Sequence, residues 1–236
     1  MPRRPEAPSD RARRFACIAI GLLGITTVVA AALWLQERTV ASSDTQLQAQ
    51  TLALFRNDDA SDTSLVKVDA SSPPRLLLSD ALYRARALRR AKGTDREAAL
   101  TALSRQADLA IEARPHWGQA WVVKAYIESL QQGPDHRQLG LAALSRSYAD
   151  SPFLRDAAGW RVTFALGHWD ELDAFVRARA IEEAVWLSRV DGGSRRAIFA
   201  AARNTNGYQP LVLRWRDMRL SDGDYFAAPV VRRDPD

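Results

Sequence analysis

One cysteine in 236 residues leaves nothing for an intramolecular disulfide, so the chain must fold on packing alone. An oxidising compartment is thereby neither required nor forbidden. Cys17 opens an apolar run and follows basic residues, where a lipoprotein would carry its own apolar run, so it reads as a small helix residue. Lysine is scarce as well, with Lys67, Lys92 and Lys124 the only ones, and arginine carries the rest of the positive charge. That bias points to a GC-rich bacterial genome. His116, His136 and His168 are the only histidines. Each falls at an expected helix end and reads as a turn or capping residue, so no metal site is expected.

The chemistry-bearing motifs are missing in the same way. There is no Gly-x-Ser-x-Gly elbow, no phosphate loop, and no cysteine beyond position 17 to serve as a nucleophile. Asp191, Gly192, Gly193 and Ser194 follow no strand pattern, so they read as a helix terminator and the cap of the next helix. Glu182 and Glu183 are adjacent and point to different sides of a helix, whereas paired-carboxylate catalysis needs both side chains on one gap. The expectation is a protein that is not an enzyme and uses no cofactor.

Net charge is +5. Arg3, Arg4, Arg11, Arg13 and Arg14, against Glu6 and Asp10, supply +3 of it, which leaves the remainder nearly neutral at +2. A nucleic-acid face would concentrate Lys and Arg on the folded domain. The nearest cluster is Arg84, Arg86, Arg89, Arg90 and Lys92, flanked by Asp80 and Asp95, and it reads as a solvated helix face. Nucleic acid is not an expected partner.

What the chain does have is a long apolar run. Phe15 to Leu35 is 21 residues without a charged side chain. At 1.5 Å per residue it is about 31 Å long, against roughly 30 Å of bilayer hydrocarbon. The arginine excess before it and the near-neutral flank after it place the N-terminus in the cytoplasm and the rest outside, which in a Gram-negative cell is the periplasm. A cleaved signal peptide is the rival reading, with small residues at Ala30 and Ala32 or at Thr39 and Ala41, although the run exceeds the usual 7 to 15 residues of such a segment. Arg13 and Arg14 before Phe15 faintly resemble a twin-arginine signal. All three readings export the chain beyond the apolar run.

The expected layout is a basic cytoplasmic segment at 1–14, a transmembrane helix at 15–35, stalk and linker at 36–75, a helical domain at 76–220 and an irregular tail at 221–236. Leu47, Thr51, Leu54 and Phe55 keep helical spacing in the stalk. Asn57 to Pro74 is rich in Asp, Ser and Pro and reads as a linker, with Leu65 to Val68 a short extended piece. Beyond it, Ser79 and Asp80 are placed to cap a helix ending at Gly93, and Thr94 with Glu97 forms a capping box for a helix running to Pro115. A third helix is expected from His116 to Gln132, a fourth from a cap at Asp135 to Pro152, and a fifth from Leu154 to Leu166. Asp170 is placed to cap a sixth that ends before Asp191. Arg195 to Arg203 and Leu211 to Arg219 complete the pattern around the turn Asn204 to Gly207.

This pattern resembles tetratricopeptide-like repeats, in which helix hairpins stack apolar face on apolar face. Ala107, Ala110 and Pro115 stand where the second helix of a repeat carries small residues and its closing proline, and Trp121 and Ala125 match the opening of the next repeat. Gly140, Leu144, Ser147 and Pro152 repeat the pattern. Pro115 and Pro152 are 37 residues apart, against a period of about 34. Gly167 to Leu172 looks like a repeat turn, while Glu128 stands where an aromatic belongs and Trp160 is off register. The resemblance implies a tandem helix-hairpin array, which with the apolar run gives an all-α fold: one N-terminal transmembrane helix followed by that array.

The whole layout, with Ala142, Leu144, Ser145 and Ser147 before Pro152, then Arg161 and the Trp169 to Leu172 turn, also resembles small membrane-anchored helical proteins of bacterial exopolysaccharide and capsule systems. That implies an inner-membrane scaffold or adaptor that binds a protein partner in an envelope assembly, with glycan contact. A folding or assembly helper beside a translocon or cytochrome maturation system stays open as the alternative, and an envelope glycan enzyme as a third. Aromatic side chains anchor such contacts, and Trp117, Trp121, Trp160 and Trp169 are the candidate partner-binding residues.

Overall fold

The computed structural model describes residues 10–55, 68–89 and 92–221. The arginines at positions 3 and 4, most of the expected linker including Leu65 to Lys67, Arg90, and the expected tail after Ser221 lie outside the described residues. Contacts divide the chain into two compact units, Met1–Lys67 and Val68–Asp236. Among the described residues all regular structure is helical, as the periodicity predicts.

The described residues of the first unit form one helix, α1, Asp10–Phe55. No proline interrupts it, so the apolar run and the polar stretch after it continue in a single rod. Its segment Ala19–Thr39 spans 21 residues at mean hydropathy 1.8, and none of it is buried against protein. The large side chains Ile20, Leu23, Val28 and Leu33 are all exposed. The hydroxyls of Thr26 and Thr27 donate to the Leu23 carbonyl at 2.9 and 2.7 Å, so the helix satisfies its own polar groups, as a lipid environment requires. This helix is long and apolar enough to cross a membrane, a property that signal sequences share.

The second unit contains α2 Pro74–Leu88, α3 Thr94–Ala113, α4 Gly118–Leu130, α5 Pro134–Asp150, α6 Ala158–Gly167, a single 3-10 turn Trp169–Glu171, α7 Ala174–Val190, α8 Gly192–Ala202 and α9 Tyr208–Ser221. Helices adjacent in sequence pack as pairs, α2 on α3, α4 on α5 and α6 on α7. Short connections make such pairs antiparallel hairpins. The pairs are joined by α3 on α4, α2 on α4 and α5 on α7, and α8 and α9 pack against α7.

Three apolar clusters fill the interfaces. Leu77, Leu100, Leu103 and Ile127 centre the first, among α2, α3 and α4. Leu144, Tyr148, Ala165 and Val176 join α5, α6 and α7. Val162, Leu166, Ile198 and Leu211 tie α6 to α8 and α9. Each large side chain fully withdrawn from water contributes about 1.5 to 3 kcal/mol. Ala107, Ala110 and Ala125 are completely buried where helices meet, the places at which the sequence called for small residues.

Four of the expected caps, Asp80, Thr94, Asp135 and Asp170, are corrected, and Asp135 lies within the first turn of α5, whose N-cap is Gly133. Asp80 lies inside α2 and caps nothing, because α2 starts earlier on Pro74 at its first turn, where a missing N–H costs least. Its buried carboxylate instead accepts from Arg84 Nε at 2.9 Å and Gln106 Nε2 at 2.9 Å, joining α2 to α3. Asp170 falls in the 3-10 turn, and Asp173 caps α7 by accepting from the Val176 N–H at 2.8 Å. The N-cap of α3 is Gly93 at φ 114°, so Thr94 is the first helical residue and not the cap residue of a capping box. Asp191 does close α7 and open α8, accepting from the Gly193 N–H at 3.0 Å.

A buried ion pair fixes the turn between α5 and α6. Arg161 and Glu183 are both fully enclosed and bond to each other through Nε at 2.7 Å and through Nη2. Arg161 also donates to the carbonyls of Ser151 at 2.8 Å and Pro152 at 3.1 Å, while Glu183 accepts from the Leu154 N–H at 3.0 Å. One charge pair thus satisfies backbone groups that the irregular turn would otherwise leave unpaired. Glu182, its neighbour, points the other way and takes Arg214 of α9 at 2.7 and 3.1 Å on the surface.

Candidate functional site

Trp160, Phe164 and His168 are spaced four apart along α6 and its end, which stacks them on one helix face. The rings of Trp160 and Phe164 lie 4.8 Å apart and are inclined by only 14°. Tyr126 of α4 meets Trp160 edge-on at 5.6 Å, and His168 meets Phe164 at 4.6 Å. The four rings form a ladder, and all are half-buried, so each keeps surface open to solvent.

This ladder walls two adjoining hollows. One, of about 430 Å³, is bounded by Tyr126, Leu130, Trp160 and Thr163, with Arg89 from the end of α2 at its edge. The other, of about 290 Å³, is bounded by Gln131, Gln132, Gly133 and Arg137 around the turn between α4 and α5. Ser129, Phe164 and His168 line both, so the two make one groove. Its combined size suits a small ligand or a short polymer segment.

The turn that shapes this groove is held by Glu128, which is 1 % exposed. Its carboxylate accepts from Ser104 at 2.6 Å and Gln131 Nε2 at 3.0 Å, contacts His136 Nδ1 at 2.7 Å, and lies 3.2 Å from Lys124 Nζ. Burial pushes its pKa upward, but the bonds from Ser104 and His136 and the Lys124 charge outweigh that, and the pKa falls below its ordinary value. Glu128 is therefore an ionised anchor for α3, α4 and the adjoining turn. Burial raises the Tyr126 pKa, with partial opposition from the Arg86 and Arg89 charges, so its hydroxyl is neutral at ordinary pH.

The four candidate tryptophans are not brought together. Trp160 lines the groove. Trp169 is 8 % exposed and packed with Val162, Leu166 and Leu211 in the core, so it offers a partner almost nothing. Trp117 packs partly against the first cluster, with Arg114 over its ring at 5.6 Å. Trp121 bridges two clusters and donates to the Pro115 carbonyl at 2.9 Å, which ties the start of α4 to the preceding turn.

Each histidine stands beside a carboxylate. His116 pairs with Asp150 at 3.2 Å, His136 with Glu128 at 2.7 Å and His168 with Glu171 at 3.2 Å. Only the last is foreshadowed by sequence spacing, at three residues. Among the described residues no group of three or more His, Cys, Asp or Glu side chains converges as a metal site would need.

Sequence reasoning picked Trp160 and passed over Phe164 and His168, although the spacing of four that unites them is plain in the sequence. Tyr126 and Arg89 carry no such signal, because the packing of α4 against α2 and α6 brings them in. Comparison of the chain with protein-family models, with curated proteins and with solved structures finds no match.

Proposed function

We propose that the protein is a single-pass membrane scaffold, N-terminus inside and helical domain exported, that binds a partner in a cell-envelope assembly and performs no catalysis of its own. The domain is a tetratricopeptide-like array of three hairpins, α2/α3, α4/α5 and α6/α7, closed by α8 and α9. Support comes from the apolar exposed segment Ala19–Thr39, from the arginines before it, and from the order in which consecutive helices pair. The layout's likeness to exopolysaccharide and capsule systems makes synthesis or export of such a polymer the leading context.

The observation that carries the reading is the half-exposed ring ladder along a groove, Tyr126, Trp160, Phe164 and His168. Rings with an open face and a packed back are what binding surfaces use as anchors. Removing one such anchor costs about 2 kcal/mol or more, roughly thirtyfold in affinity. Full-length protein purified in mild detergent should therefore retain its partner, and the Trp160→Ala and Phe164→Ala variants should lose most of it while melting near the wild-type temperature. Equal partner recovery by folded variants would remove the groove as the binding face.

A further inference from the structure

We propose that the ligand of the groove is an acidic oligosaccharide, a chain of sugar rings bearing carboxylates. This rests on the ring ladder being the binding face, and it names what the face takes. The lining favours sugar over peptide. Besides the rings it holds exposed hydroxyls and an exposed amide, Ser129, Thr163 and Gln132, and a single aliphatic side chain, Leu130. Sugar rings offer apolar faces that lie on aromatic rings and hydroxyls that bond amides, whereas peptide side chains need aliphatic pockets that are missing here.

The charge of the lining selects an acidic sugar. Exposed Arg89 stands at one hollow and exposed Arg137 at the other. The one carboxylate in the lining, Glu128, is buried and already engaged by Ser104, Lys124, Gln131 and His136, so it does not repel an anion entering from solvent. Glu171 lies 3.8 Å from Arg137, an exposed and loose pair that a better-placed carboxylate can replace. Guanidinium groups at both hollows suit carboxylates carried at intervals along one chain, since each offers a planar fork of donors to a carboxylate.

The test uses the full chain in mild detergent, an oligogalacturonate of four to six rings, its methyl ester as the same backbone without charge, and a glutamate oligomer as an acidic peptide. Titration calorimetry should show binding of the oligogalacturonate, about tenfold or more weaker binding of the ester, and no comparable binding of the peptide. Arg89→Gln and Arg137→Gln should each weaken binding about tenfold and reduce its salt dependence, and Trp160→Ala should abolish it with the fold intact by circular dichroism. Equal binding of acid and ester, equal or tighter binding of the peptide, or no sugar binding would each overturn the proposal. If no sugar binds while Trp160→Ala still weakens partner recovery, the sugar fails and the binding face stands. If Trp160→Ala leaves partner recovery unchanged, the binding face itself is wrong, whatever the sugars do.

Discussion

Two adjacent glutamates show how far apart neighbouring residues are in consequence. Glu183 is fully buried against Arg161, so Glu183→Gln leaves a guanidinium enclosed without its counter-charge and should cost about 3 to 5 kcal/mol. Glu182 faces Arg214 on the surface, and Glu182→Gln should cost less than about 1 kcal/mol. Thermal melting of both variants checks the contrast, and similar midpoints would mean that the buried pair holds nothing. Glu128 gives a pH signature. Its folded pKa lies below its ordinary value of 4.5, so it contributes stability above that value and the contribution drains away as pH falls through the folded pKa. Glu128→Gln should start about 1 to 3 kcal/mol lower at neutral pH and lose less on acidification than the wild type does. Parallel acid slopes in the two proteins would show that Glu128 is not coupled to folding. Sequence alone set Glu128 down as a departure from the repeat. What fills that position is a polar anchor whose partners come from three helices, and no local pattern announces partners drawn from 24 residues away.

At the scale of elements, the sequence was most informative where a local cause decides structure. Gly133 and Pro134 end α4 and start α5, and Asp191 closes one helix and caps the next, because turn and cap chemistry act within a few residues. It misplaced the start of α2, which opens on Pro73 and Pro74 well ahead of Ser79 and Asp80, the caps of α3 and α5, where Gly93 and Gly133 stand, and the cap of α7, where Asp170 and Asp173 lie within one turn of each other. Glycines separate these cases. A Cβ on Gly207 would lie 2.9 Å from Leu166 Cδ2 and from two ring carbons of Trp169, so Gly207→Ala should push α9 from the core and cost about 1 to 3 kcal/mol. Gly118 is as confined, with the Ser151 Cβ at 2.6 Å where α4 crosses the end of α5. Gly159 in α6 has nothing within 4 Å, and Gly159→Ala should stabilise by up to about 1 kcal/mol. Ala110, completely buried between α3 and its neighbours, should tolerate Phe no better than Gly207 tolerates Ala. Denaturant melts rank these variants, and a neutral Gly207→Ala would show that α9 does not dock as described.

On the scale of the whole molecule, the all-helical class and the long apolar helix are legible in the sequence because both rest on periodicity and composition. The groove is not, since it arises where α2, α4 and α6 converge and only the Trp160, Phe164, His168 spacing leaves a trace along the chain. The central claim is that this groove, on a membrane-anchored and exported domain, is where the partner binds. The most direct measurement places a photo-crosslinking amino acid at Thr163, an exposed position on the groove wall, in the full-length chain in living cells. Arg155, exposed in the turn before α6, serves as the control position. The expected result is one strong adduct from position 163, absent from position 155, lost when Trp160→Ala is added, and removed by protease supplied outside intact spheroplasts. An adduct equally strong from position 155, indifferent to Trp160, or shielded from protease until the cells are lysed would contradict the claim.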